Sequence, residues 1–234
     1  MSDAAAGLVQ LEFADGIAMV TLDRHERRNA IGTELAAAFK VAASQIADAG
    51  VVVAILRANG TMFSAGADLG ERLVPGQPGS TDVMLEALAG TPVLWIAQVQ
   101  GGCVGAGVSL ALSCPIVIAS TDAWLWVPEL SKLGRLPLGV LRRTIPTIGA
   151  RAALGLAATE RRVSATEAFG FGWFAQLVAP QDLAGTTAHI ARRLAGGDTT
   201  ATRAVIDHWR GLSAGTASLA GANVSTSDAA PAPW

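Results

Sequence analysis

Two short apolar runs, at positions 51–57 and 93–99, constrain the fold of this chain more than any other feature of its sequence. Both runs are rich in valine, isoleucine and leucine without regular polar alternation, which is typical of strands buried on both faces of a parallel sheet. A glycine-bearing loop follows each run, and helical patterns follow the loops at 81–88 and 108–112. Parallel strands must be joined by crossovers, so this order predicts an α/β sheet with right-handed connections.

A hairpin is predicted ahead of this alternating region. Residues 8–13 and 17–22 form two largely apolar segments around Asp15-Gly16. An Asp-Gly pair between such segments is a strong hairpin signal, because both residues tolerate the backbone angles of a tight turn. After a polar loop, Thr33 is predicted to cap a helix that ends at Gly50.

Further strands are predicted in the middle of the chain and helices beyond them. Segments 115–120 and 123–127 have the apolar character of short strands, and the patterns after Gly134 are mainly helical. Ser164, followed three residues later by Glu167, forms a capping-box sequence at the start of one of these helices. Helix breaks are expected near three prolines, Pro137, Pro146 and Pro180.

The length of 234 residues fits a single domain with a sizeable core. We predict a core domain over residues 1–194 and a short helical segment over residues 195–234. The tail from about residue 213 is rich in alanine, glycine, serine and threonine, and we expect it to be largely disordered.

Composition and charge exclude several classes of protein. Hydrophobic residues make up 51% of the chain and charged residues 15%, which excludes a disordered, highly charged protein. A formal charge of −2 gives no electrostatic reason to expect a nucleic-acid partner. The sequence shows neither a signal-peptide pattern nor a membrane-length apolar run, and Cys103 and Cys114 are expected to be buried thiols. A cytoplasmic location without a membrane partner is therefore predicted.

Two glycine-rich loops occupy positions where predicted strands end. The first is Phe-Ser-Ala-Gly-Ala-Asp-Leu at 63–69, and the second is Gly-Gly-Cys-Val-Gly-Ala-Gly at 101–107. Ligands of α/β sheets gather at such strand ends, and glycine allows the backbone to approach them closely. Two amides aimed at one point would form an oxyanion hole. Taken singly, either loop is also compatible with a tight packing turn, and the second lacks the Gly-Lys-Ser/Thr sequence of a phosphate loop.

Several motifs, taken in order, resemble those of the enoyl-CoA hydratase/isomerase, or crotonase, family. They are Leu22-Asp23-Arg24, Arg28-Asn29-Ala30, the loops at 63–69 and 99–107, Cys114-Pro115-Ile116-Val117-Ile118-Ala119 and Pro128-Glu129-Leu130. The resemblance runs from about residue 8 to about residue 194. It implies a crotonase-like spiral of ββα units, here with a shortened C-terminal helical region. It also implies an acyl-CoA thioester as substrate, no additional cofactor or metal, and a homotrimer or dimer of trimers.

The same resemblance assigns functional residues to the loops. The backbone amides of Ala67 and Ala106 would hold the thioester oxygen as it becomes an enolate. The positions implied to bind substrate or CoA are Arg28, Ala30, Ala65, Gly66, Asp68, Gly105 and Ser109. The main role expected for Asp68 is structural, because an aspartate in a turn readily accepts hydrogen bonds from the amides of that turn.

Glu129 is the candidate acid/base, and its usual partner is missing. Hydratases of the family use two glutamates, whereas this chain has Ser109 at the first of these positions. A serine without a basic partner does not act as a base near neutral pH. One carboxylate suffices to move a proton during double-bond isomerisation, and apolar neighbours such as Trp124 and Trp126 would favour such a shuttle by raising a carboxyl pKa. The sequence therefore favours isomerase-like chemistry.

Two alternatives remain open from the sequence. In the first, the chain is a hydratase in which Asp68, Glu71 or Asp122 replaces the missing carboxylate. In the second, it is a crotonase homologue that binds acyl-CoA without catalysis, as Ser109 and the shortened C-terminal region would allow. Turnover of any unsaturated acyl-CoA would count against the second alternative.

Overall fold

The computed structural model describes residues 7–71, 78–134 and 137–213 of the chain. Its strands are β1 (Val9–Ala14), β2 (Ile17–Leu22), β3 (Val53–Ala58), β4 (Met62–Ser64), β5 (Leu94–Val99), β6 (Gly102–Val104), β7 (Ile116–Ser120), β8 (Trp124–Trp126), β9 (Val163–Ser164) and β10 (Gln176–Val178). Its helices are α1 (Thr33–Ala49), α2 (Ser80–Gly90), α3 (Ala106–Ala111), α4 (Glu129–Leu133), α5 (Leu138–Thr159), α6 (Ala165–Gly170), α7 (Leu183–Ala195) and α8 (Thr199–Ser213). Short 3-10 helices cover His25–Arg27 and Pro180–Asp182.

The larger sheet has the strand order β1-β2-β3-β5-β7-β10. Strands β2, β3, β5, β7 and β10 run parallel, while β1 pairs with β2 in the antiparallel sense. The predicted hairpin is confirmed: Asp15 and Gly16 link β1 to β2 with positive φ angles of 53° and 72°. The two apolar runs also form parallel strands as predicted, because β3 and β5 are neighbours in the middle of this sheet and are almost completely buried.

A second, smaller sheet positions the site. It has the order β4-β6-β8-β9, with β4, β6 and β8 parallel and β9 antiparallel to β8. Each of the three parallel strands follows directly on a strand of the larger sheet, and a helix comes next: β3-β4-α2, β5-β6-α3 and β7-β8-α4. This repetition is the predicted spiral of ββα units, and it brings equivalent loops of successive units side by side.

The short strands β4, β6, β9 and β10 were not predicted. Residues 62–64 and 102–104 were assigned to loops, and the chain after Gly134 was assigned to helices alone. Strands of two or three residues contain too few positions for a period of two to be recognised. Their pairing is decided by the neighbouring strands, since β6 is buried between β4 and β8.

Helix α1 starts and ends where the sequence predicted, but its cap is different. Thr33 is the first helical residue rather than the cap, which is Gly32. The Glu71 carboxylate supplies the capping interaction instead: it accepts hydrogen bonds from the Thr33 amide at 2.8 and 2.9 Å and from the Thr33 hydroxyl at 2.7 Å. Gly50 ends the helix with a φ of 71°, as predicted.

The helices of the second half depart from the proline-based prediction at one point. Pro137 precedes α5 and Pro180 begins a 3-10 helix, but Pro146 lies inside α5. The break in α5 falls at Gly149, whose non-helical angles (φ 78°, ψ 159°) lie in the positive-φ region that favours glycine. At α6 the predicted cap is present, since the Ser164 hydroxyl accepts a hydrogen bond from the Glu167 amide at 3.2 Å.

One large apolar core fills the space between the larger sheet and helices α1, α2 and α3. Helix α7 covers the opposite face of that sheet, and α8 packs beside it, with the Thr202 hydroxyl donating to the Leu194 carbonyl at 3.3 Å. Residues 195–213 are therefore attached to the core by contacts, while the disorder predicted for the tail concerns residues 214–234, outside the described residues. Within the described ranges, none of the helices combines the length and apolarity that crossing a membrane requires.

We predict that Glu71→Ala lowers the free energy of unfolding by about 1 kcal/mol, because it removes the cap of α1. Glu71→Gln, which keeps one acceptor oxygen, should lose less, and Thr33→Ala, which keeps the capped amide, should also lose less. Urea unfolding followed by circular dichroism measures all three changes. Wild-type stability in Glu71→Ala would contradict the assignment of Glu71 as the cap.

Candidate active site

The first loop is held by a backbone bridge to the segment before α1. The Ile31 amide donates to the Gly66 carbonyl at 2.7 Å, and the Asp68 amide donates to the Ile31 carbonyl at 3.0 Å. These bonds pair Ile31 with Ala67 in the parallel sense. Ala67 lies between Gly66 and Asp68, the two residues that bond to Ile31. In a parallel pair, such a central residue directs its own amide away from the partner strand. The Ala67 amide therefore points away from Ile31.

Two buried polar residues, Asn29 and Ser64, stabilise this loop. Asn29 is completely buried, and its side-chain amide donates to the carbonyls of Asn59 and Met62 at 2.8 and 2.9 Å. The hydroxyl of Ser64 donates to the Asn29 carbonyl at 2.7 Å and accepts from the Gly66 amide at 3.1 Å. No role was predicted for Asn29 or Ser64 from the sequence, although Asn29 lies in a family motif and asparagine commonly adopts positive φ, here 53°.

Asp68 is part of a small ionic network at the edge of the loop. Its carboxylate accepts from the Arg24 guanidinium at 2.7 Å and from the Gly70 amide at 3.0 Å. Arg24 also donates to the Ala30 carbonyl at 3.0 Å. The Arg24 contact, followed by the Gly70 amide bond, lowers the pKa of Asp68 below its ordinary value. The Gly70 bond is of the kind predicted for Asp68, a bond to an amide of its own turn, whereas the Arg24 contact was not predicted.

The residues implied to bind CoA gather beside this network. The Ala65 amide donates to the Arg28 carbonyl at 2.8 Å, so the segment around Arg28 and Ala30 lies against the first loop. The Arg28 side chain is exposed, whereas Gly66 is buried. Their roles in binding CoA remain predictions.

The second loop contacts the first through glycine. A Cβ atom placed on Gly66 would lie 2.7 Å from the Val104 carbonyl oxygen and 3.4 Å from the Ala106 nitrogen. Gly105, whose amide donates to the Trp126 carbonyl at 2.8 Å, adopts a φ of 49° and directs the chain into α3. Ala106 begins α3, and first-turn amides have no acceptor within their own helix. The structure thus brings the loops of Ala67 and Ala106 into direct contact.

Glu129 reaches the same place from a third segment. It is the first residue of α4 and is half-buried. A Cβ atom placed on Gly105 would lie 2.8 Å from the Glu129 Oε1 atom and 3.3 Å from its Cδ atom, so the carboxyl group packs against this glycine. The carboxyl group and the loop that carries the Ala106 amide are therefore neighbours.

Ser109 lies one turn after Ala106 in α3, and 3% of its surface is exposed. Its hydroxyl oxygen is 2.9 Å from the position that a Cβ atom on Gly139 would occupy, so it faces the start of α5. Arg143 of α5 is half-buried nearby. Its guanidinium donates to the Ser113 hydroxyl at 2.5 Å and to the Gly139 carbonyl at 2.6 Å. Hydroxyl groups and a guanidinium therefore line the position of the missing glutamate.

The three carboxylates considered as replacements are all engaged in structural contacts. Asp68 binds Arg24, Glu71 caps α1, and Asp122 accepts a short hydrogen bond from the Ser120 hydroxyl.

Metal and thiol chemistry have no support in the described part of the chain. Residues 7–71, 78–134 and 137–213 contain no cluster of three or more histidine, cysteine, aspartate or glutamate side chains able to hold a metal ion. Cys103 and Cys114 are buried free thiols, as predicted, and burial raises the pKa of both well above the ordinary value.

The sequence is similar to those of proteins of known family. The sequence profile of the enoyl-CoA hydratase/isomerase family matches residues 12–222. The chain is 33% identical over 192 residues to 1,2-epoxyphenylacetyl-CoA isomerase of Escherichia coli K12, a match that covers 77% of this chain and 73% of that protein.

Solved structures show the same fold. A monofunctional enoyl-CoA isomerase from Mycobacterium smegmatis superimposes with a TM-score of 0.77 at 28% identity, covering 91% of this chain and 96% of the other. A candidate enoyl-CoA hydratase from Thermobifida fusca YX, in complex with acetoacetyl-CoA, superimposes with a TM-score of 0.78 at 29% identity, covering 93% and 90%. The predicted crotonase-like fold is thereby confirmed.

We predict that Asp68→Asn lowers the free energy of unfolding at pH 7 by about 1–2 kcal/mol, because it removes a charge-assisted bond to Arg24. The folded-state pKa of Asp68 lies below the ordinary value of 3.8. Its stabilising contribution is therefore complete above pH 3.8 and is lost as the pH falls through the lower folded-state pKa. Urea unfolding of both proteins should show a difference that shrinks in this acidic range, and a difference independent of pH would contradict the assignment.

Proposed function

The chain belongs to the enoyl-CoA hydratase/isomerase family, and from this premise we propose that it moves a carbon–carbon double bond of an acyl-CoA ester. In this reaction a 3-enoyl-CoA becomes a 2-enoyl-CoA through a thioester enolate. The juxtaposition of Glu129 with Gly105, next to the Ala106 amide, is the observation that carries the proposal.

The Ala67 and Ala106 amides form the proposed oxyanion hole. The Ala67 amide points away from its bridge partner Ile31, and the loop before it contacts the nitrogen of Ala106. When a base removes a proton from C2 of the substrate, negative charge develops on the thioester oxygen. Two amides already directed at that oxygen stabilise it without reorganisation, each by about 3–4 kcal/mol in comparable enzymes.

Glu129 is the proposed proton carrier. Its carboxylate accepts the C2 proton while the C2–C3 bond gains double-bond character in the dienolate. The same carboxyl group then returns a proton to C4 as the enolate collapses to the conjugated thioester. One group suffices for both transfers because C2 and C4 lie on the same short segment of substrate.

The surroundings of Ser109 favour isomerisation over hydration. Hydration requires one group to activate water and another to deliver a proton. Ser109 faces Gly139 beside Arg143, and the carboxylates of Asp68 and Glu71 are engaged elsewhere. The carboxylates weighed as a second base, Asp68, Glu71 and Asp122, thus make structural contacts within the described residues, whereas proton transfer between C2 and C4 does not need a second base.

The relatives support a CoA thioester as substrate. The names of the Escherichia coli and Mycobacterium smegmatis proteins are those of acyl-CoA isomerases, and the Thermobifida fusca protein was solved with acetoacetyl-CoA. We propose that CoA binds beside Arg28, Ala30, Ala65 and Gly66, with no further cofactor. A homotrimer or dimer of trimers in the cytoplasm is part of the same proposal.

We predict that Glu129→Gln lowers kcat for 3-hexenoyl-CoA by about 10²–10⁴-fold, because the amide does not accept the C2 proton. Binding of the ester should change little, since the backbone amides remain in place. Glu12→Gln, which alters an exposed glutamate on β1, is the matched control and should leave both quantities unchanged. A spectrophotometric assay and calorimetric titration measure the two effects, and wild-type turnover in Glu129→Gln would refute the assignment.

A further inference from the structure

The turn that follows α5 has an unusual backbone conformation at Glu160. This residue adopts left-handed angles (φ 48°, ψ 28°) at the end of the helix. Glycine is the residue that occupies this position most easily, because a side chain there is strained. Asp15 and Asn29, also at positive φ, belong to residue types that tolerate this region, but glutamate does not share that preference.

Glu160 uses both its side chain and its backbone to contact the segment that carries Glu129. Its carboxylate accepts a hydrogen bond from the Ser131 amide at 2.7 Å. Its carbonyl accepts from the Trp126 indole at 2.6 Å. Ser131 is the third residue of α4, so the Glu160 carboxylate caps this helix from outside. The hydrogen bonds from Ser131 lower the pKa of Glu160, which keeps the carboxylate charged to more acidic pH.

Arg162, in the same turn, contacts strand β8, which precedes Glu129. The Arg162 guanidinium lies over the Trp124 ring at 4.2 Å from its centroid and over the Trp126 ring at 5.7 Å. Strand β8 is therefore held by residue 162, and α4 by residue 160. The Pro128–Glu129 junction lies between these two attachments.

We propose that Glu160 is a positioning residue that holds α4 so that the Glu129 carboxyl group stays against Gly105. This inference rests on the proposed function of Glu129. Helix α4 has only five residues, too few to keep its orientation through its own hydrogen bonds. An external cap at its first turn supplies the missing constraint, and this use of the side chain explains a glutamate where the backbone favours glycine.

Three substitutions separate positioning from stability. Glu160→Gln keeps an acceptor oxygen for the Ser131 amide. Glu160→Ala removes the cap and keeps the backbone strain, while Glu160→Gly removes the cap and relieves the strain. Stability should depend on the backbone strain at position 160. Tm of Glu160→Gly should therefore exceed that of Glu160→Ala by about 2–4 °C.

Activity should depend instead on the hydrogen bond between the side chain of residue 160 and the Ser131 amide. With 3-hexenoyl-CoA, kcat should fall by about tenfold in both Glu160→Ala and Glu160→Gly, with KM little changed, because a displaced base lowers the rate of proton transfer. Glu160→Gln should retain most of the wild-type kcat. Hydrogen exchange of the peptide containing Ser131 should accelerate in the alanine and glycine variants alone.

The outcomes distinguish this inference from the function on which it rests. Wild-type kcat in Glu160→Gly, beside an inactive Glu129→Gln, would overturn the positioning role and leave the proposed function intact. Unchanged exchange at Ser131 in Glu160→Gly would overturn it as well. An inactive wild-type protein or a fully active Glu129→Gln would overturn the proposed function, and the positioning role with it.

Discussion

Direct contact between two glycine-containing loops is the constraint on which the site depends. A side chain at Gly66 would collide with the Val104 carbonyl, so the approach of the loops requires glycine there. The Ile31 bridge holds one loop and the Gly105–Trp126 bond holds the other. Backbone contacts, rather than flexible side chains, therefore set the relation between the two proposed oxyanion donors, which is the rigidity that stabilisation of a developing charge requires.

The Glu129 carboxyl group, which would move the proton, is held by a different part of the fold from the two amides. The two amides belong to the β3-β4 and β5-β6 units, whereas Glu129 is carried by α4 after β8. That helix is short, and its orientation depends on the turn that begins at Glu160. Enolate stabilisation and proton transfer thus rest on different elements of the fold.

Sequence reasoning predicted the features that local chemistry determines. The Asp15-Gly16 turn and the two apolar runs follow from turn geometry and burial. The pairing of the two glycine-rich loops was implied only by the resemblance to the family, because each loop alone is also compatible with a packing turn. The very short strands β4, β6, β9 and β10 could not be predicted, because tertiary pairing decides them. The cap of α1 by Glu71 and the contact of Glu160 with α4 were missed for the same reason: each joins residues about thirty to forty positions apart.

The central claim is that this chain uses one carboxylate to isomerise an enoyl-CoA. Purified protein incubated with 3-hexenoyl-CoA in deuterated water, followed by mass spectrometry, tests it most directly. The account predicts conversion to the 2-enoyl ester with no hydroxyacyl-CoA formed, and deuterium enters the acyl chain only where the proton held by Glu129 exchanges with solvent before its return. Formation of hydroxyacyl-CoA would mean that another group performs the work of the carboxylate missing at Ser109, and an unchanged substrate without deuterium uptake would contradict the proposed chemistry altogether.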